Sequence, residues 1–135
     1  MRSIANYNLK ILVALEETFV GNKAICDWLL NNGYPELAAF SHAIRGSTEA
    51  NEWLLKNGFP ELSALDYAID KDNKAINWLI KYGFYLEVQF ANCCNMDKEA
   101  TDWLIRNNYK VFVRLAEKIN QFRDSMIYNP HKLHF

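Results

Sequence analysis

The pattern of apolar and polar positions returns along this chain at a fixed interval. Four stretches, CDWLLNNGYPEL, NEWLLKNGFPEL, INWLIKYGFYLE and TDWLIRNNYKVF, place Trp28, Trp53, Trp78 and Trp103 25 residues apart, with their neighbours in register. A period of that length signals a stack of similar supersecondary units, each burying its apolar face on the next. Inside a unit the spacing is helical. Ile25, Trp28 and Leu29 stand at i, i+3 and i+4, and the spacing returns as Ala50, Trp53 and Leu54, then Ala75, Trp78 and Leu79, then Ala100, Trp103 and Leu104. One stripe of a helix is thereby apolar. It predicts core tryptophans, with the small residue admitting a neighbouring helix. The opposite face sets Glu52 before Lys56 and Asp102 before Arg106 at i, i+4, the habit of a solvated surface.

Start and stop signals bound this first helix, helix A, at about ten residues. Asn22, Ser47, Asp72 and Asp97 lie six positions before each tryptophan, where a side-chain oxygen can accept from the free amides of the first turn. Gly33, Gly58 and Gly83, with Asn108 in the fourth unit, follow each tryptophan by five, the place for a left-handed closing residue. An aromatic comes next (Tyr34, Phe59, Phe84 or Tyr109), followed in the first two units by Pro35 and Pro60. Proline suits the first position of a helix, because that amide has no intrahelical partner. A helix B therefore begins at once. Its apolar stripe is Leu37, Phe40 and Ile44, then Leu62, Leu65 and Ile69, with Phe90 and Cys94, then Leu115 and Ile119, as later equivalents. Cys93 and Cys94 read as small apolar fillers beside the core.

One period before Phe40 and Ile44 lie Leu15 and Phe19, so residues 7–20 read as a helix B without its helix A. The last helix B runs past its period through Phe122, and Asn129-Pro130 stops it. The expected fold is all-α: a right-handed α-solenoid of four two-helix repeats (22–46, 47–71, 72–96 and 97–121) with helical caps. Residues 1–128 form one domain, with 122–128 as the C-terminal cap and 129–135 as a tail. Apolar groups at the ends, Tyr7, Leu9, Ile11 and Leu12, then Met126, Ile127, Leu133 and Phe135, predict a tail folded back on the last unit and a monomeric protein.

The stretch LDYAIDKDNKAINWLIKYGF, from Leu65 to Phe84, resembles the helix-turn-helix portion of an ankyrin repeat, in which an outer helix ends in Leu-Leu-x-x-Gly. The resemblance spans roughly residues 7–122. The period is shorter than the ankyrin value of about 33 residues, and a Gly-aromatic-Pro link stands where ankyrin repeats carry a β-turn element. The Thr-Pro-Leu-His signature is missing, although Ala64-Leu65-Asp66-Tyr67-Ala68 echoes it. The chain is more similar still to the short, tryptophan-containing ankyrin-like repeats of giant viruses and some protists. That resemblance implies a binding scaffold whose helix B lines a concave face.

At 135 residues and 50% hydrophobic content, the chain can bury a core without disulfides or metals. Fifteen Lys and Arg against 16 Asp and Glu leave a formal charge of -1, no field for nucleic acid or an anionic membrane. Three cysteines make neither a disulfide framework nor a zinc spacing and read as free thiols. The apolar run Ile11–Leu15 is too short for a signal peptide or a membrane span, so a cytoplasmic protein is expected. No nucleophile elbow, glycine-rich phosphate loop or spaced carboxylate pair is visible. Cys26 neighbours the Ile25 stripe without a base, His42 has no ligand at metal spacing, and His131 and His134 fall in the tail. The expectation is no catalytic residue, no metal and no cofactor. What varies between units while the core repeats is the off-stripe side of helix B: Ala39, Ala64, Gln89 and Arg114; His42, Tyr67, Asn92 and Glu117; Arg45, Asp70 and Asn95, with Asn120. This mixture suits a protein or peptide partner better than phosphates. The alternatives are a nucleic-acid-binding repeat, whose tryptophans would form a stacking ladder, and behind it an enzyme.

Overall fold

The computed structural model of the protein describes residues 2–127, with side chains through Ser125. Among the described residues every regular element is helical: a single 3-10 turn, Ile4–Asn6, then α1 (Leu9–Phe19), α2 (Lys23–Asn31), α3 (Pro35–Ile44), α4 (Thr48–Lys56), α5 (Pro60–Ile69), α6 (Asn73–Lys81), α7 (Tyr85–Cys94), α8 (Lys98–Arg106) and α9 (Lys110–Ile127). The even-numbered helices are helices A and the odd-numbered are helices B. Successive pairs pack on each other in chain order, giving an all-α repeat solenoid. No described helix is long and apolar enough to cross a membrane.

The punctuation behaves as the repeat dictates. Asn22 Oδ1 accepts from the Ile25 amide at 3.2 Å and Ser47 Oγ from Ala50 at 3.1 Å. Asp72 and Asp97 each accept from two amides of α6 and α8. Asn108 takes φ 66° where the first three units have glycine. The corner from helix B to the next helix A demands the same left-handed backbone, which the sequence reading missed. Gly21 and Gly46 supply it first, but Lys71 (φ 66°) and Met96 (φ 67°) adopt it with a side chain attached, at a steric cost of about 1 kcal/mol or more.

The helices B pack side by side in the order α1, α3, α5, α7, α9, and α9 packs back against α1. The solenoid thus coils until its inner helices close on one another. Leu15, Phe40, Leu65, Phe90 and Leu115, one from each inner helix at 25-residue intervals, are fully buried. Arg114 ties the closing pair, its Nε 3.1 Å from Glu16 Oε1 and its Nη2 donating to Oε2 at 3.1 Å. The extension of α9 crosses one end: the Arg45 guanidinium lies 5.5 Å from the Phe122 ring centre, and Arg123 donates to the Cys94 carbonyl at 3.4 Å. Of the first segment, Ile4, Tyr7, Ile11, Leu12 and Leu15 are buried and Leu9 is exposed. The expected fold-back of residues 129–135 lies outside the described residues.

Two expectations need correction. The tryptophans are not core: Trp28 is 46% exposed and Trp53, Trp78 and Trp103 are half-buried, whereas Leu29, Leu54, Leu79 and Leu104 beside them are wholly buried. Successive helical residues diverge by about 100°, so a stripe centred on leucine leaves the tryptophan at its edge. Each indole lies flat against the aromatic after the closing turn, with ring centres 6.5 Å apart for Trp28–Tyr34, 6.1 Å for Trp53–Phe59, 5.9 Å for Trp78–Phe84 and 6.1 Å for Trp103–Tyr109. The surface pairs do not close either. Among the described residues the one ion pair is Arg114–Glu16, and Arg106 Nε donates instead to the Asp102 carbonyl at 3.4 Å.

Candidate functional site

Because the inner helices close, the axis side of each helix B is packed core, and its opposite stripe looks outward between two outer helices. Over α3, between α2 and α4, this leaves a cleft of about 360 Å³ with Leu30, Asp27 and Cys26 on one wall and Trp53, Ala50 and Glu49 on the other. Its floor is Ala38, Ala39 and His42, and Pro35 and Ser47 complete it. Over α5, between α4 and α6, a cleft of about 280 Å³ repeats the construction one period on: Leu55 faces Trp78 and Ala75, the floor is Ser63, Ala64 and Tyr67, and Pro60, Asp72 and Lys74 complete it. Position for position, Leu30, Pro35, Ala39, His42, Ala50 and Trp53 become Leu55, Pro60, Ala64, Tyr67, Ala75 and Trp78. At the next period Tyr85 replaces the proline, and its ring stands edge-on to Trp103 with centres 5.4 Å apart.

The structure separates the eleven residues expected to bind a partner. Ala39, His42, Ala64 and Tyr67 come together in the two clefts. Gln89 and Asn92 hold the same places on α7 and are half-buried. Glu117 is exposed on α9, whereas Arg114 is bound to Glu16. In the third row Arg45, Asp70 and Asn95 follow the last residues of α3, α5 and α7 while Asn120 lies inside α9, and the row is partly structural. Arg45 donates to the Thr18 carbonyl at 2.7 Å, Asn95 Nδ2 donates to the Ile69 and Ala91 carbonyls at 3.0 Å, and Asn120 Nδ2 reaches Met96 Sδ at 3.5 Å, while Asp70 is exposed.

Several polar groups escaped the sequence reading. His42 is not isolated: its Nε2 lies 3.7 Å from Cys26 Sγ, at a wall shared by the first cleft and a smaller cavity of about 250 Å³ that also includes Lys23 and Arg45. Burial pushes the Cys26 thiol up, Asp27 adds to the shift and Arg45 opposes it, so the sulfur keeps its proton. In the second repeat, Asn51 Nδ2 donates to Asp66 Oδ2 at 2.8 Å and to the Ser63 carbonyl at 3.3 Å, and Ser63 Oγ donates to Asn51 Oδ1 at 2.6 Å. All three are buried, and burial raises Asp66 to about 6 despite the Asn51 bond. Glu36, Glu61 and Glu87, in the first turns of three inner helices, are also buried. Tyr7 donates to Glu36 Oε2 at 2.6 Å and the Ile4 amide to Glu87 Oε2 at 3.0 Å. Burial raises Glu61, with Glu87 and Glu36 adding to the shift. The Pro-Glu pairs carried the signal for Glu36 and Glu61, but a reading along the chain takes them for helix starts, and Glu87 has no such pair; the side-by-side packing of α3, α5 and α7 brings these first turns together. No known protein family, characterised relative or solved structure matches this chain.

Proposed function

We propose that this chain is a protein-interaction module of the short ankyrin-like class, which holds a segment of a partner protein in the two tandem grooves over α3 and α5. The observation that carries this reading is the recurrence of one groove, wall for wall, in successive repeats. A concave apolar site with few polar groups is the usual form of a binding site. The outer helices also leave Leu30, Leu55, Ile80 and Ile105 exposed, one per repeat at the same position, the first two as groove walls.

Half-exposed tryptophans also suit a stacking platform for single-stranded nucleic acid. That platform needs a basic track, whereas the first groove carries Asp27 and Glu49 and the chain is formally -1. Protein is therefore the favoured partner. The three free thiols accord with a reducing compartment, and we place the protein in the cytoplasm.

Selection of displayed peptides on the intact protein tests the proposal, with tryptophan fluorescence as the binding signal. Leu30→Glu and Leu55→Glu change exposed wall residues without touching the core. Each should weaken the selected ligands at least about tenfold while leaving the circular dichroism spectrum and Tm in place. Ligands indifferent to both changes, or single-stranded RNA bound at physiological salt with a steep salt slope, would overturn it.

A further inference from the structure

We infer that the two grooves differ in charge, the first acidic and the second near balance, so that the ligand is an extended peptide with an apolar anchor for each groove and a lysine or arginine beside the anchor in the first. The inference rests on the grooves being peptide sites and adds the chemistry and polarity of the occupant. In the first groove Asp27 and Glu49 face each other from α2 and α4, both exposed. Neither is ion-paired among the described residues. At the place of Glu49 the second groove carries Lys74. Its acid, Asp72, already accepts from the Lys74 and Ala75 amides as the cap of α6. One groove therefore offers two carboxylates, and the next an ammonium beside a carboxylate that caps α6.

Complementary charge of this kind fixes register and direction more than it adds affinity. The peptide would run with its basic residue over α3 and a neutral residue over α5. Adjacent helices pack about 8–10 Å apart, and an extended chain advances about 3.3 Å per residue, so the anchors should lie about two or three residues apart. Tyr85, lying against Trp103, occupies the third position and limits the ligand to two anchors.

Peptide libraries selected on the intact protein, on Glu49→Lys and on Lys74→Glu test this. Native protein should enrich two apolar residues about two or three apart with Lys or Arg next to one of them. Glu49→Lys should lose or invert that basic preference and bind the native ligands about fivefold more weakly, with the loss fading at high salt. Lys74→Glu should bring in a basic preference at the second anchor. Selected apolar pairs with no basic preference, or a preference unmoved by Glu49→Lys, would sink the inference while leaving the grooves as the binding site, provided Leu30→Glu and Leu55→Glu still abolish binding. Peptides that survive those two changes, or no selected peptide at all, would remove both readings together.

Discussion

Asp66→Asn should make the protein more stable at neutral pH and leave it nearly unchanged in acid. Asp66 is buried on α5 with one firm partner, Asn51. Burial moves its carboxyl from 3.8 to about 6, with the Asn51 bond opposing and Asp70 adding. Between those values the folded protein holds a proton that the unfolded chain has released. The stability contributed by the protonated group is therefore complete below pH 3.8 and is lost as the pH rises through about 6. A shift of about two units corresponds to roughly 3 kcal/mol. Asparagine never ionises and keeps a carbonyl oxygen for Asn51. It also brings an amide N–H that costs about 1 kcal/mol if it finds no acceptor. The net expectation is a gain of about 1–2 kcal/mol near neutrality and none, or a small loss, in acid. Urea unfolding of both proteins across the mildly acidic to neutral range measures it. A difference that does not change with pH, or a variant less stable than the parent at neutrality, would refute the argument that the native carboxylate is held against its own burial.

Leu65→Ala removes a fully buried side chain where the inner helices meet and should lower unfolding free energy by about 2–5 kcal/mol, read from the urea midpoint. Arg114→Ala leaves Glu16 buried without its cation. Because the Arg114 side chain is 57% exposed, the loss should be only about 1–3 kcal/mol, and most of it should disappear when Glu16→Gln is added. Lys71→Gly relieves a left-handed residue in an exposed corner and should raise Tm through a gain of about 0.5–1 kcal/mol, while Gly46→Ala, at φ 103°, should lower it. Trp53→Ala should cost less than the about 3–5 kcal/mol of a core tryptophan, because its ring is only half-buried against Phe59.

The repeat and its punctuation are legible along the chain. Ser47 caps α4, Pro60 opens α5 and Asn108 closes α8 because capping, proline geometry and left-handed turns are settled within a few residues of chain. The leucines of helix A and the stripe of helix B were legible for the same reason: helical spacing states which residues share a side. Spacing does not state how wide the contact is or what lies across it. That is why spacing alone predicts Trp53 as core when it forms a groove wall, and why nothing in it marks Leu30 and Leu55 as the facing walls. Residues far apart in the chain met only through packing. Glu16 finds Arg114, Ile4 finds Glu87 and Cys26 finds His42 because α9 returns to α1 and each outer helix lies over the next inner one. The curvature that closes the ring is the sum of small rotations between repeats. Each rotation depends on how side chains of neighbouring units interlock, so it is only on packing that helix B acquires an outward stripe between the outer helices and a buried axis side.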